Sequence, residues 1–129
     1  MIDINFQNGC VLIVGGSGGI GSLCAKQFAD EGAKVAITYF KNEKAANDVA
    51  SGINSNVEVY QLDNKDPVSV QSAMDDIAKK YGGINTIVNA AGFDIPQKFI
   101  TDIDIDLWKS VMDADINGFF NLIKSGLPY

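Results

Sequence analysis

Val11-Leu12-Ile13-Val14-Gly15-Gly16-Ser17-Gly18-Gly19-Ile20-Gly21 is an apolar run that ends in a glycine-rich turn. Its β-preferring residues fit a strand buried on both faces, as the strands of parallel sheets are. The glycines let the backbone turn sharply and bring its N–H groups close to a negatively charged ligand. They satisfy two overlapping spacings, Gly16-x-Gly18-x-x-Gly21 and Gly15-x-x-x-Gly19-x-Gly21. The first is the general dinucleotide fingerprint, which means something only between a strand and a helix of a βαβ unit. A glycine turn without a ligand is the plain alternative.

The flanks supply that context. Ile20, Leu23, Cys24 and Phe28 recur at helical spacing as an expected inner face, and Gly32 stands where a left-handed cap is favoured. Ala33 to Tyr39 reads as the next strand. Asn42 caps a helix through about Gly52, with Ala45, Ala46, Val49 and Ile53 inward. Val57 to Leu62 is a third strand. Asp66-Pro67 places an N-cap before a proline at the first helical position, opening a helix with Val70, Ala73, Met74, Ile77 and Tyr81 inward. Gly82-Gly83 ends it. Ile84 to Ala91 is a fourth strand, residues 92–106 form a loop, and one last helix runs from near Asp106 to about Lys124.

This alternation predicts a doubly wound α/β unit of Rossmann-like type, a single domain over residues 1–129 with a parallel sheet in the order 3-2-1-4. The fourth strand is then an open edge. Thr86-Ile87-Val88 is apolar like a strand with neighbours on both sides, so the sheet is expected to be incomplete, with further strands missing.

Composition agrees with one globular domain: 129 residues, 47% hydrophobic and 20% charged. A net charge of −6 gives no electrostatic footprint for nucleic acid or an anionic membrane. No run approaches the roughly 18 apolar residues of a membrane span. Met1-Ile2-Asp3-Ile4-Asn5 lacks the basic start of a signal peptide, so a cytoplasmic protein is expected. Cys10 and Cys24 have no metal-like spacing and read as reduced core residues. With no histidine in the chain, mechanisms that need imidazole are excluded.

The second strand ends in Thr38-Tyr39-Phe40-Lys41, and no acid follows until Glu43. An NAD site places a carboxylate there, against the ribose 2′-hydroxyl. Without one, nothing repels a 2′-phosphate and Lys41 offers it a partner, so NAD(P) is expected with a leaning to NADP. Tyr39 and Lys41 become candidate cofactor contacts. A solvated loop charge is the alternative reading of Lys41.

Taken together, Val14–Gly21, Leu62-Asp63, Ile87-Val88-Asn89-Ala90-Ala91-Gly92 and the block from Trp108 to Phe120 resemble the short-chain dehydrogenase/reductase family, and within it reductases of 3-oxoacyl thioesters. The resemblance implies that Gly15, Ser17, Gly18, Gly19, Ile20 and Gly21 lie along the cofactor pyrophosphate. It implies Asp63 and Asn64 at the adenine, and Asn89, Ala90, Ala91 and Gly92 along the adenosine ribose and under the sheet. A loop-capping carboxylate is the alternative for Asp63. In the family the helix that matches Trp108 to Phe120 is a common subunit interface, which implies a homo- or hetero-oligomer with similar subunits.

Three departures stand out. The family usually has threonine where Val14 stands, and Asn-Asn-Ala-Gly in place of Asn89-Ala90-Ala91-Gly92. Its catalytic asparagine, which holds a water in a proton relay where the helix is locally distorted, aligns with Asp115. An ionised aspartate cannot donate. On a regular helix Asp115 shares a face with Val111 and Phe119, where it needs a partner or a raised pKa; a solvent-facing carboxylate is the alternative.

The family's serine and Tyr-x-x-x-Lys are absent. Tyr39, Tyr60 and Tyr81 are followed four residues on by Glu43, Asn64 and Asn85, and Tyr129 is last. The chain by itself is therefore expected to be inactive. Two expectations follow: the N-terminal half of an oxidoreductase acting on a hydroxyacyl or oxoacyl substrate, or a non-catalytic subunit that keeps a nucleotide cradle. A nucleotide-binding module without chemistry is a third.

Overall fold

The computed structural model describes Phe6 and residues 8–53, 56–92 and 94–129. The N-terminal pentapeptide read above lies outside them. Strands β1 (Cys10–Val14), β2 (Val35–Tyr39), β3 (Val57–Gln61) and β4 (Ile84–Asn89) alternate with helices α1 (Gly19–Asp30), α2 (Glu43–Ser51) and α3 (Pro67–Tyr81). After β4 come a 3-10 turn at Ile100–Asp102, helix α4 (Ile105–Met112), a π-helical turn at Asp113–Asn117 and helix α5 (Gly118–Gly126).

The sheet is four-stranded in the order β3-β2-β1-β4, and every pairing is parallel. This is the predicted doubly wound order. Every residue of β1 is buried, because the strand lies between β2 and β4 with a core layer on each face. Alternation assigns the layers: Cys10, Leu12 and Val14 pack with Val70, Met74, Ile77 and Leu122, while Val11 and Ile13 pack with Ala25, Val35, Ile37 and Ala46.

Local chemistry sets the element ends. Asn42 accepts from the Ala45 N–H at 3.0 Å, and Asp66 from the Val68 N–H at 2.9 Å just ahead of Pro67. Each satisfies a first-turn donor that the helix leaves unpaired. Gly82 closes α3 at φ +81°, the left-handed conformation that glycine adopts without strain. Among the described residues, Cys10 and Cys24 are both free thiols.

Several expectations need correction. Ile20 and Leu23 are not inner-face residues of α1; they are 75% and 70% exposed. Gly21 and Ala25 face the sheet instead, since only small residues admit the helix so close to the glycine turn. Strand β4 stops at Asn89, two residues short of the expected end. The last helix does begin near Asp106, at Ile105, where Asp104 caps it by accepting from the Leu107 N–H at 2.8 Å. It is not one regular helix. The π-turn interrupts it around Asp115, where the family resemblance implies a local distortion, and Phe119 lies 47% exposed rather than sharing an inner face with Val111 and Asp115.

Candidate functional site

The loop between β1 and α1 is built by close packing. Gly15 has φ +77°, and a Cβ there would lie 2.7 Å from the Ala91 nitrogen. A Cβ on Gly16 would meet Ile37 Cβ at 2.5 Å, and one on Gly21 would collide with the Gly15 carbonyl oxygen. Thr38, buried at the end of β2, ties the loop to the sheet: its Oγ1 accepts from the Gly15 N–H at 3.2 Å and its carbonyl from the Gly16 N–H at 3.0 Å. A Cβ on Gly19, by contrast, would meet nothing within 4 Å.

The start of α1 is open to an anion. Its N-cap is Gly18, with no side-chain cap, and its first turn carries no acidic residue. The first-turn N–H groups and the positive end of the helix dipole therefore point at the space above the loop.

Beside the loop, at the carboxyl edge of the sheet, lies a cavity of about 430 Å³. It is the crevice position in which doubly wound sheets hold their ligands. Of the residues singled out in the sequence, Gly15, Tyr39, Lys41, Asp63, Asn64, Ala91 and Gly92 line it. Ser17, Gly18, Gly19, Ile20 and Gly21 sit on the loop and first helical turn, outside its walls. Asn89 and Ala90 lie in and after the end of β4, where the Ala90 N–H donates to the Val14 carbonyl at 2.9 Å. The Asn89 Oδ1 is buried without a hydrogen-bond partner.

Lys65, Asp94 and Ala114 also line the cavity and were not read as site residues. For Lys65 the available signal was position: it follows β3 as Lys41 follows β2, and adjacent parallel strands bring those two loops together. Both ammonium groups lie over the Phe40 ring, Lys41 Nζ at 5.1 Å and Lys65 Nζ at 5.7 Å from its centroid. Neither belongs to an ion pair among the described residues.

The acidic and amide residues divide the remaining work. Asp63 Oδ1 accepts from the Lys65 N–H at 3.0 Å, a local turn that shapes the loop after β3. The Asn64 side chain, in the loop after β3, donates to the Ala114 carbonyl at 3.0 Å. Asp115 is half-buried in the π-turn, and a Cβ on Gly92 would lie 3.8 Å from its Oδ1. Among the described residues no cluster of acids and cysteines is arranged to hold a metal ion.

Comparison with known proteins places this geometry. The family model for short chain dehydrogenase matches residues 9–129. The chain is 31% identical over 120 residues to sulfoacetaldehyde reductase 2 of Chromohalobacter salexigens, covering 92% of this chain and 47% of that protein. It is 29% identical over 126 residues to meso-2,3-butanediol dehydrogenase of Serratia marcescens, covering 98% and 50%. Among solved structures, a short chain dehydrogenase from Burkholderia cenocepacia in complex with NADP superposes with a TM-score of 0.87 at 31% identity, over 97% of this chain and 52% of that one. The chain thus spans about half the length of the proteins it matches. With the glycine turn, the 3-2-1-4 sheet and a family match over nearly its whole length, the chain belongs to the short-chain dehydrogenase family.

Proposed function

We propose that the chain is the cofactor-binding portion of an NAD(P)-dependent oxidoreductase, with NADP preferred, that interconverts a carbonyl and an alcohol on an oxoacyl or hydroxyacyl substrate. The observation that carries the cofactor preference is the pairing of Lys41 and Lys65 over Phe40 at the mouth of the cavity. A 2′-phosphate there gains two cations and meets no carboxylate at the end of β2. The substrate class rests on the resemblance in sequence alone; the named relatives act on other small carbonyl and alcohol compounds, as their names state.

The residues present fit a dinucleotide. The open first turn of α1 receives the pyrophosphate, Tyr39 and Lys41 flank the adenosine ribose, and Asp63 stands at the adenine end. Gly15, Ala91 and Gly92 keep the floor of the crevice clear of side chains. When bound, the dinucleotide supplies or accepts hydride at its nicotinamide. Asp115, facing Gly92, is the group of this chain placed to hold a water or proton near that end, in the position of the family's asparagine.

Calorimetric titration of the full-length protein with NADP, NAD, 2′,5′-ADP and 5′-ADP tests this reading. NADP and 2′,5′-ADP are expected to bind about tenfold or more tightly than their counterparts without the 2′-phosphate. Equal affinities overturn the NADP preference, and absence of binding overturns the cofactor site.

A second reading, a non-catalytic subunit beside a complete relative, is favoured by Asp115 in place of asparagine. Acetoacetyl-CoA reduction by NADPH separates the two, because only the enzyme turns over. In either case we expect oligomers with similar subunits through the α4–α5 surface, where Trp108, Met112, Ile116 and Phe120 are exposed. Sedimentation at micromolar concentration checks this. A reducing cytoplasmic setting fits the two free thiols.

A further inference from the structure

The π-turn between α4 and α5 has a specific hydrogen-bond defect. The Gly118 N–H donates to the Asp113 carbonyl, five residues back. In an α-helix it would donate to Ala114, four back. The Ala114 carbonyl instead accepts from Asn64 Nδ2 at 3.0 Å, a bond from the loop after β3 to a residue 50 positions away.

Asn64 is gripped from two more directions. Asn121 Nδ2 donates to the Asn64 backbone carbonyl at 2.9 Å. A Cβ on Gly118 would lie 2.5 Å from Asn64 Nδ2 and 2.6 Å from its Cγ, so only glycine lets the helix come this close. Ala114, Gly118 and Asn121 are spaced four and three residues apart, one face of the α4–α5 rod. The same π-turn carries Asp115, next to Ala114, to its place facing Gly92.

We propose that Asn64 is a positioning residue for Asp115: its amide occupies the carbonyl that the π-turn releases, and so holds the turn in the form that faces Asp115 toward Gly92 at the wall of the cofactor crevice. Without that donor, rewinding the segment as α-helix gives the Ala114 carbonyl a new partner, the Gly118 N–H four residues on. Rewinding removes one residue from the turn and rotates Asp115 by about 100° about the helix axis. Because Asn64 also lines the crevice, the wall of the cofactor site and the Asp115 turn are one hydrogen-bonded unit. The functional weight of this inference rests on the reading of Asp115 given above.

The experiment compares the full-length wild-type protein with Asn64→Leu, which keeps the branched four-atom outline of the side chain and removes the donor. Amide exchange of the segment 113–121, followed by mass spectrometry, is expected to accelerate about tenfold, while residues 10–14 keep their protection. The ¹³C carboxyl resonance of Asp115, assigned by its loss in Asp115→Asn, is expected to move. If Asn64→Leu does not fold, Asn121→Leu releases the same residue from its other side and is expected to shift the same resonance. Unchanged exchange with an unchanged Asp115 resonance overturns the proposal. Turnover of acetoacetyl-CoA with NADPH, compared between wild type and Asp115→Ala, tests the underlying reading separately: equal, measurable rates remove Asp115 from the reaction and leave the hold of Asn64 on the turn standing.

Discussion

Gly118 lies against the side-chain amide of Asn64 so closely that no Cβ fits between them. Asn64 cannot retreat, because Ala114 and Asn121 hold its amide and its carbonyl. Gly118→Ala is therefore expected to cost about 1–3 kcal/mol, as overpacking at a fixed contact does. Combining it with Asn64→Ala removes the collision, so the double variant is expected to be more stable than the sum of the two single losses. Denaturant melts of all four proteins measure this, and a Gly118→Ala midpoint equal to wild type sinks it.

Within the glycine turn, two positions separate folding from binding. Gly21→Ala drives a methyl into the Gly15 carbonyl and is expected to destabilise the protein by about 1–3 kcal/mol. Gly19→Ala meets no protein atom within 4 Å and should melt like wild type. Its methyl does enter the space above the helix start, so NADP affinity is expected to fall about tenfold. Thermal melts paired with calorimetry give both quantities, and a Gly19→Ala protein that binds NADP normally shows that the phosphates lie elsewhere.

Lys41→Gln and Lys65→Gln are each expected to weaken NADP about tenfold and to leave NAD within a factor of two. Raising the salt concentration should narrow the gap between NADP and NAD in the wild type, since both lysines are exposed. Equal loss of NAD and NADP in either variant places the lysine away from the 2′-phosphate.

Burial pushes the Cys10 thiol from its ordinary value of 9.0 up to about 11, partly opposed by the charge of Lys34. The fold therefore favours the protonated form. Its contribution to stability is complete below pH 9 and declines as pH rises from 9.0 to about 11. Cys10→Ala is expected to be less stable at pH 8, through its cavity, and to show a flatter decline above pH 9. Denaturant midpoints between pH 8 and 10.5 test the slope; parallel declines in the two proteins contradict it. In the native protein at pH 8, a thiol reagent should reach half-buried Cys24 well before Cys10.

Much of the architecture was legible from local chemistry. The buried run before the glycine turn, the caps at Asn42 and Asp66 and the left-handed Gly82 depend on interactions within a few residues. The periodicity failed at Ile20 and Leu23 for a tertiary reason. Helical spacing locates an apolar stripe without showing how near the helix approaches the sheet, and here the approach suits only Gly21 and Ala25.

The site divides in the same way. Gly15, Tyr39, Lys41 and Asp63 follow from strand ends, which the alternation of elements locates. Lys65 joins Lys41 only because β2 and β3 are neighbours. No spacing within 113–117 distinguishes a π-turn from an α-helix, and the donor that reaches the Ala114 carbonyl there comes from Asn64, far away in the chain.

By itself, then, the sequence determined the alternation of strands and helices, the glycine turn after β1 and the missing acid after β2, all set by side chains acting on their own backbone. Tertiary structure alone decided which residues line the crevice beside those the sequence points to, which small residues admit α1 to the sheet, and that the distortion in the last helix is a π-turn facing Asp115 toward Gly92. Those outcomes depend on contacts between segments far apart in the chain, and no local pattern encodes the donor that satisfies the Ala114 carbonyl.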